Sequence, residues 1–203
     1  GANSGSIAGE NNGGSGTHSF YGAGKNNHTN TGSYCLISGN GNSSNSGAHS
    51  LISGTSNSGN SGVACSISGY LNYSNTGHYN IIGGVSNSGN SGERNLIVGS
   101  NNHNNASSFS IIGGLNNDYI STDADYSLIC GELNSKTGAN ASEGSHCIIG
   151  GKNNYNNSGD YCSINGNGNH SNSGAHSLIS GNGNSSNSGV ACSISGYLNY
   201  SNT

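Results

Sequence analysis

Residues 46–76 read SGAHSLISGTSNSGNSGVACSISGYLNYSNT, and residues 173–203 read SGAHSLISGNGNSSNSGVACSISGYLNYSNT. The two stretches differ at three positions and lie 127 residues apart. A chain organised around one catalytic centre has no use for such a duplicate, whereas a chain that gains length by stacking copies does. Inside the first stretch the pattern already recurs: Ser50-Leu51-Ile52-Ser53-Gly54 is followed, 15 residues on, by Cys65-Ser66-Ile67-Ser68-Gly69.

Working outward from Gly54 and Gly69, the same glycine is found at Gly9, Gly24, Gly39, Gly84, Gly99, Gly114, Gly131, Gly151, Gly166, Gly181 and Gly196. Ten of the twelve intervals are 15 residues, and the others are 17 and 20. Two positions before each of these anchors stands Ile7, Ile37, Ile52, Ile67, Ile82, Ile97, Ile112, Ile129, Ile149, Ile164, Ile179 or Ile194, with Gly22 the one break. Three positions after each stands Asn12, Asn27, Asn42, Asn57, Asn72, Asn87, Asn102, Asn117, Asn134, Asn154, Asn169, Asn184 or Asn199. A second asparagine column, six after the anchor, includes Asn45, Asn60, Asn75, Asn172 and Asn187.

Composition alone places the chain near disordered sequences, with 37 Gly and only 6% charged residues in 203. Disordered chains usually carry high net charge and many prolines. Here the net charge is −4 and proline is absent. A strict register is incompatible with disorder. The weak acidic balance argues against nucleic acid as a partner. No run approaches the roughly 18 apolar residues of a membrane span, so no membrane insertion is expected.

A 15-residue, glycine-rich period is too short and too flexible for helix pairs. It suits one coil of a solenoid. The expectation is an all-β parallel β-solenoid of about 13 coils at about 4.8 Å spacing, a single array over residues 1–203 with insertions in the coils spanning 115–131 and 132–151. Each coil is expected to hold two short strands, around the Ile and around the Asn. Ile stacks on Ile in a thin core, and Asn amides bond the Asn above and below. Proline would remove a ladder donor, which accounts for its absence. Neither end carries a polar cap, so the array is expected to be a piece of a longer repeat protein or to join a neighbour end to end.

Strand alternation separates two faces. Positions four and two before the anchor read Cys-Ile, Ser-Ile or Asn-Ile and point inward. Positions five and three before point outward, giving a stripe that includes Tyr34, Leu36, Leu51, Tyr79, Ile81, Leu96, Phe109, Ile111, Tyr126, Leu128, Ile148, Tyr161 and Leu178. A contiguous apolar stripe on the outside usually marks an interface, the alternative being that both faces lie partly inside a wider coil. A second copy of the chain is the expected partner, because a single coil buries little by itself.

The stretch SGDYCSINGNGNHSNSGAHSLISGNGN at 158–184 resembles the SGxYSxIxGGxNNxxSG repeats of bacterial and viral fibre proteins. More distantly it is similar to the head repeats of YadA-like trimeric autotransporter adhesins. The resemblance covers essentially the whole chain. It implies a left-handed roll, three identical chains side by side, and an extracellular, cell-surface or virion-surface location. The chain departs from the adhesin heads in its slightly longer repeat and in its six cysteines.

Cys35, Cys65, Cys147, Cys162 and Cys192 all sit four before an anchor, and Cys130 one before. There is no C-x-x-C, which argues against a zinc or redox motif. Cys35 and Cys65 are two coils apart, too far to bridge. Cys147 and Cys162 are on adjacent coils, within bridging distance. The plainer reading of the column is a free thiol acting as a small hydrophobe in alternation with Ser.

Other chemistry is sparse. The acids between Asp118 and Asp125 have the oxygen ligands that Ca²⁺ requires, but read more simply as a solvated loop, and no cofactor or metal is expected. His28, His103 and His170 share a column without stacking on one another. No nucleophile elbow or phosphate-binding loop is present, so the chain is expected not to be an enzyme. Nine N-x-S/T sequons begin at residues 27, 42, 72, 105, 140, 156, 169, 184 and 199; most fall in the asparagine column, where a structural ladder explains them better than glycosylation. The leading expectation is a structural fibre shaft that homo-oligomerises, as a trimer or an end-to-end polymer. The alternatives are an ice-binding β-roll, suggested by NIIGG at 80–84 and NLIVG at 95–99, and an adhesin that binds surface glycans through Tyr70, Tyr73, Tyr155, Tyr197 and Tyr200.

Overall fold

The computed structural model describes residues 5–6, 9–134 and 144–203; Ile7, Asn140 and Glu143 lie outside them. Among the described residues there is no α-helix, and a single short 3-10 turn spans Thr122–Ala124. Two compact units are present, Gly1–Ser100 and Asn101–Thr203. In the first the strands are β1 (Gly5–Ser6), β2 (Gly9–Glu10), β3 (Phe20–Lys25), β4 (Leu36–Asn40), β5 (Leu51–Ile52), β6 (Ser66–Tyr70), β7 (Ile81–Val85) and β8 (Leu96–Ser100). In the second they are β9 (Ile111–Leu115), β10 (Leu128–Glu132), β11 (Ile148–Lys152), β12 (Ser163–Asn167), β13 (Leu178–Asn182) and β14 (Ser193–Tyr197).

Each unit is a parallel β-solenoid. In the first, β1 and β2 lie beside β3, and β3 to β8 then pair successively, all parallel. In the second, β9 to β14 do the same. Consecutive strands are neighbours one full coil apart, so like stacks on like: Ile67 faces Ile82 and Gly69 faces Gly84, and Ile149 faces Ile164. The core isoleucines Ile37, Ile52, Ile67, Ile82, Ile97, Ile112, Ile129, Ile149, Ile164, Ile179 and Ile194 are all buried.

Two features differ from the sequence reading. First, each coil carries one strand, not two. Around the asparagines the β-pairing of neighbouring coils is reduced to isolated bridges such as Ser58↔Tyr73 and Tyr155↔His170. The reason lies in the backbone. Residues two and five after the anchor adopt left-handed φ, as at Ser56 (56°) and Ser74 (54°), and such turns interrupt any extended run. Second, Gly22 does not occupy the core position that spacing assigns to it. The register shifts between Tyr21 and Gly24, and Tyr21 pairs with Ile37. A one-residue bulge thereby turns Tyr21 inward, where it is 2% exposed and its hydroxyl donates to the Asn30 carbonyl at 3.2 Å.

The anchor glycine is required on two counts. Gly84 has φ +106°, outside the range of L side chains, and a methyl group there would collide with the Gly99 carbonyl oxygen. The corner seven before the anchor is also tight: a Cβ on Gly62 would strike the Gly77 carbonyl. Coils therefore approach at bare backbone distance along both edges of the core.

Most of the interior is polar. Asn27, Asn42, Asn57, Asn72, Asn87, Asn102, Asn117, Asn134, Asn154, Asn169 and Asn184 are fully buried, and Asn199 is half-buried. Asn57 shows how such a column is satisfied. Its backbone N–H donates to Asn42 Oδ1 at 2.9 Å, and its Nδ2 donates to the Ser53 and Gly69 carbonyls at 2.6 and 3.1 Å. Its own Oδ1 accepts the backbone N–H and Nδ2 of Asn72, both at 3.0 Å. The second column repeats the arrangement, with Asn60 donating twice to Asn45 Oδ1 and accepting twice from Asn75. A buried amide is tolerated only when its donors and acceptors are all engaged, and stacking in register engages them from the coils on either side.

The same logic explains the interchange of Cys, Ser and Asn four before the anchor. Ser50 Oγ donates to the Gly62 carbonyl at 3.3 Å and accepts the Cys65 N–H at 3.2 Å. Cys65 Sγ donates to Gly77 at 3.3 Å, and Asn80 Nδ2 to Gly92 at 2.8 Å. The column needs a small side chain that can both donate and accept, so the cysteine there is more than the small hydrophobe of the sequence reading.

Candidate functional site: an outer ladder of rings and aliphatic side chains

Strand alternation that turns Ile149 inward turns its neighbour Ile148 outward, and repetition makes a column of every outward position. Three before the anchor, Leu36, Leu51, Ile81, Ile111, Leu128, Ile148 and Leu178 are exposed, while Leu96 is half-buried. Five before the anchor, Tyr34, Tyr79, Phe109, Tyr126 and Tyr161 are exposed, with Tyr126 and Tyr161 each 54% accessible. The stripe expected from the sequence is therefore present as an outer surface of each unit.

What spacing alone did not reveal is how the rings are held. Every residue five before an anchor from Tyr34 to Ala191 has positive φ, between 55° and 61°. A bulky side chain in this region is strained by about 1 kcal/mol or more. Face-to-face contact along the stack offsets that strain. In the second unit Phe109, Tyr126, His146, Tyr161 and His176 form a continuous run, with centroid separations of 4.9, 5.0, 4.8 and 5.0 Å. In the first, His18, Tyr34 and His49 stack at 4.9 and 5.0 Å, and the Arg94 guanidinium lies 5.1 Å over the Tyr79 ring. His18 escaped the sequence reading because the bulge at Tyr21 displaces it by one position from the regular column.

Stacking dictates what this surface offers. Within the stacked runs ring faces are covered by the rings of adjacent coils, which leaves edges, hydroxyls and imidazole nitrogens beside the aliphatic column. Stacking of a sugar needs a free ring face. Tyr155, one of the tyrosines proposed above for glycans, is itself stacked on His170 at 4.8 Å.

The remaining candidates are structural in their contacts. The Asp118 carboxylate accepts from the Tyr119 N–H at 2.9 Å and from Asn104 Nδ2 at 3.2 Å. The Asp125 carboxylate accepts from the Ser108 N–H. Asp118 thus caps its own corner and reaches a side chain of the preceding coil, while Asp125 ties a backbone corner of that coil. In the same longer coil Ile120 is buried in the slot that Asn occupies elsewhere, and Ala124 is buried in the slot of the corner glycine. Among the described residues no group of three His, Cys, Asp or Glu side chains is placed to hold a metal ion. Glu10–Lys25 and Glu132–Lys152 are exposed ion pairs between adjacent coils, at 2.8 and 3.0 Å. Sequon asparagines Asn27, Asn42, Asn72, Asn105, Asn169 and Asn184 are fully buried.

Burial pushes the thiols of Cys35 and Cys65 above the ordinary cysteine value. Cys147 and Cys162 behave differently. The close pairing of the two thiols, together with burial, pushes Cys147 up, and the same pairing draws Cys162 down to about 7. Compared with known families, curated proteins and solved structures, the chain matches none.

Proposed function

We propose that this chain is a structural, non-enzymatic fibre shaft on a cell or virion surface, which homo-oligomerises side by side through its ladder of rings and aliphatic side chains. The observation that carries the reading is the outer stripe itself. In the second unit Ile111, Leu128, Ile148 and Leu178 are exposed alongside five stacked rings. A contiguous apolar surface of this kind is uncommon on a monomer and favours association. The trimeric state and the surface location rest on the resemblance to fibre and adhesin repeats. Interiors filled by hydrogen-bonded asparagines and close-packed glycine corners suit a shaft.

Light scattering and electron microscopy of the purified chain test the proposal. The expected result is a trimer or larger assembly seen as a thin rod. The paired substitution Leu128→Ser and Ile148→Ser should reduce it to monomers without unfolding, because serine stands in that column at Ser66, Ser163 and Ser193. A wild-type chain that stays monomeric at high concentration overturns the reading, and thermal hysteresis then becomes the next measurement.

A further inference from the structure

Four before the anchor, cysteines are separated from one another by Ser or Asn coils except at one place. Cys35 and Cys65 have Ser50 between them, and Cys192 lies beside Ser177. Cys147 and Cys162 alone follow each other directly. Their strands are in register through Ile148↔Ser163 and Ile149↔Ile164. Both are buried free thiols. The Cys162 backbone N–H donates to Cys147 Sγ at 3.4 Å. The two sulfurs emerge in the same sense from adjacent coils, as shown by their equivalent bonds: Cys147 Sγ to the Gly159 carbonyl and Cys162 Sγ to the Gly174 carbonyl, both at 3.2 Å.

We infer that Cys147 and Cys162 are an oxidation site: a peroxide converts them to a disulfide that clamps the coil of β11 to the coil of β12. Adjacent coils place the Cα atoms about 4.8 Å apart, within the roughly 4.4–6.8 Å that a disulfide spans. Thiols two coils apart are beyond that reach. The Cys162 thiolate attacks one peroxide oxygen; the O–O bond breaks, hydroxide leaves and a sulfenic acid forms. Cys147 sulfur then attacks Cys162 Sγ, the S–O bond breaks, and water departs as the Cys147 proton is lost. Overall two thiols and one hydrogen peroxide give one disulfide and two waters. Cys162, drawn down by its neighbour Cys147, is the first nucleophile. Oxidation removes the S–H donors to Gly159 and Gly174, which keeps the bond reducible.

The test is peptide mapping. The reduced, folded chain is treated with stoichiometric hydrogen peroxide, alkylated under denaturing conditions, and digested with trypsin without reduction. Cleavage after Lys136 and Lys152 separates Cys147, in peptide 137–152, from Cys162, in peptide 153–203. The expected product is these two peptides joined, two hydrogens lighter, and separated by a reductant, with Cys35, Cys65 and Cys192 alkylated. Cys192→Ser should keep the cross-link; Cys147→Ser and Cys162→Ser should each abolish it. The serine variants are expected to fold, since Ser127 and Ser177 hold the same position in neighbouring coils, and circular dichroism checks this. Full alkylation of Cys147 and Cys162 after peroxide, or a cross-link that survives Cys162→Ser, overturns the inference.

Discussion

Asn57 makes clear how much one side chain does in this architecture. Its amide serves two backbone carbonyls, and its oxygen serves both a backbone and a side-chain N–H of the next coil. Asn57→Ala removes all four bonds and leaves buried groups without partners, each worth about 1–3 kcal/mol. We expect a loss of at least about 3 kcal/mol in urea unfolding on that scale. Glycines divide into two kinds at the same scale. Gly84→Ala should be severely destabilising, because φ +106° and the Gly99 carbonyl both exclude a side chain. Gly41→Asn should change stability by less than about 1 kcal/mol, because its φ of 68° is one that Asn26 and Asn101 adopt in the same column. Thermal melts of the pair distinguish the two glycine types. Thiol burial adds a pH dependence. Cys35 and Cys65 titrate at an ordinary 9.0 when unfolded and higher when folded. The folded chain therefore holds these protons more tightly. Their contribution is complete below about pH 9 and fades as pH rises through the folded values. Wild type should lose more stability between pH 8 and pH 10.5, two points on either side of that roughly pH 9 onset, than a Cys35→Ser, Cys65→Ser double variant.

The coil is the element. Its strand was legible in the sequence, because Ile two before and Gly at the anchor recur in nearly every period. Alternation around that strand gave the inner and outer columns, and the structure has both. What was not legible is the conformation of the rest of the coil. An Asn-Ser-Asn segment reads equally as strand or corner, and only stacking decides that the asparagines turn inward to bond backbone. The bulge at Tyr21 was hidden for a related reason: a one-residue slip flips every side chain, and spacing alone cannot say which of Tyr21 and Gly22 is inside. Register also yields a test. Deleting residues 55–69 removes one whole period and joins Gly54 to Tyr70, so every ladder closes again. The chain should keep its β-type circular dichroism with a lower melting temperature. Deleting only 55–62 sets Ile against Asn and glycine against side chain, and should abolish the cooperative transition.

For the whole molecule, neighbour contacts dominate, and stability is a sum over coils and their interfaces. Each unit has its own ladders, so the argument holds for Gly1–Ser100 and Asn101–Thr203 separately. The candidate surface was legible in the sequence as a list of columns but not as a set of stacked rings, since left-handed backbone at an aromatic has no compositional signature. Self-association through such a surface should be insensitive to ionic strength. The chain carries four basic and eight acidic residues, and burial of apolar area is not weakened by salt. Assemblies followed by light scattering should persist from low salt to about 1 M NaCl, a range over which screened charge pairs would release. Dispersal by salt would point to charge rather than to the Leu, Ile and ring columns.

The asparagine columns have one further consequence. Backbone hydrogen bonds between coils run both ways along the stack: Leu51 N–H donates forward to Cys65, and His49 N–H donates backward to Ser33. Their dipoles largely cancel. The side-chain carbonyls do not alternate. Oδ1 of Asn42, Asn57, Asn45 and Asn60 each accepts from the following coil, and Asn154 and Asn157 do the same in the second unit. Two parallel files of side-chain carbonyls therefore run along each stack, all pointing toward the following coil. Each solenoid thus has a direction, with the side-chain oxygens of both files facing the following coil. A stack that continued these ladders into another would have to meet it head to tail, so direction would be built into such a filament before a single charged residue is considered.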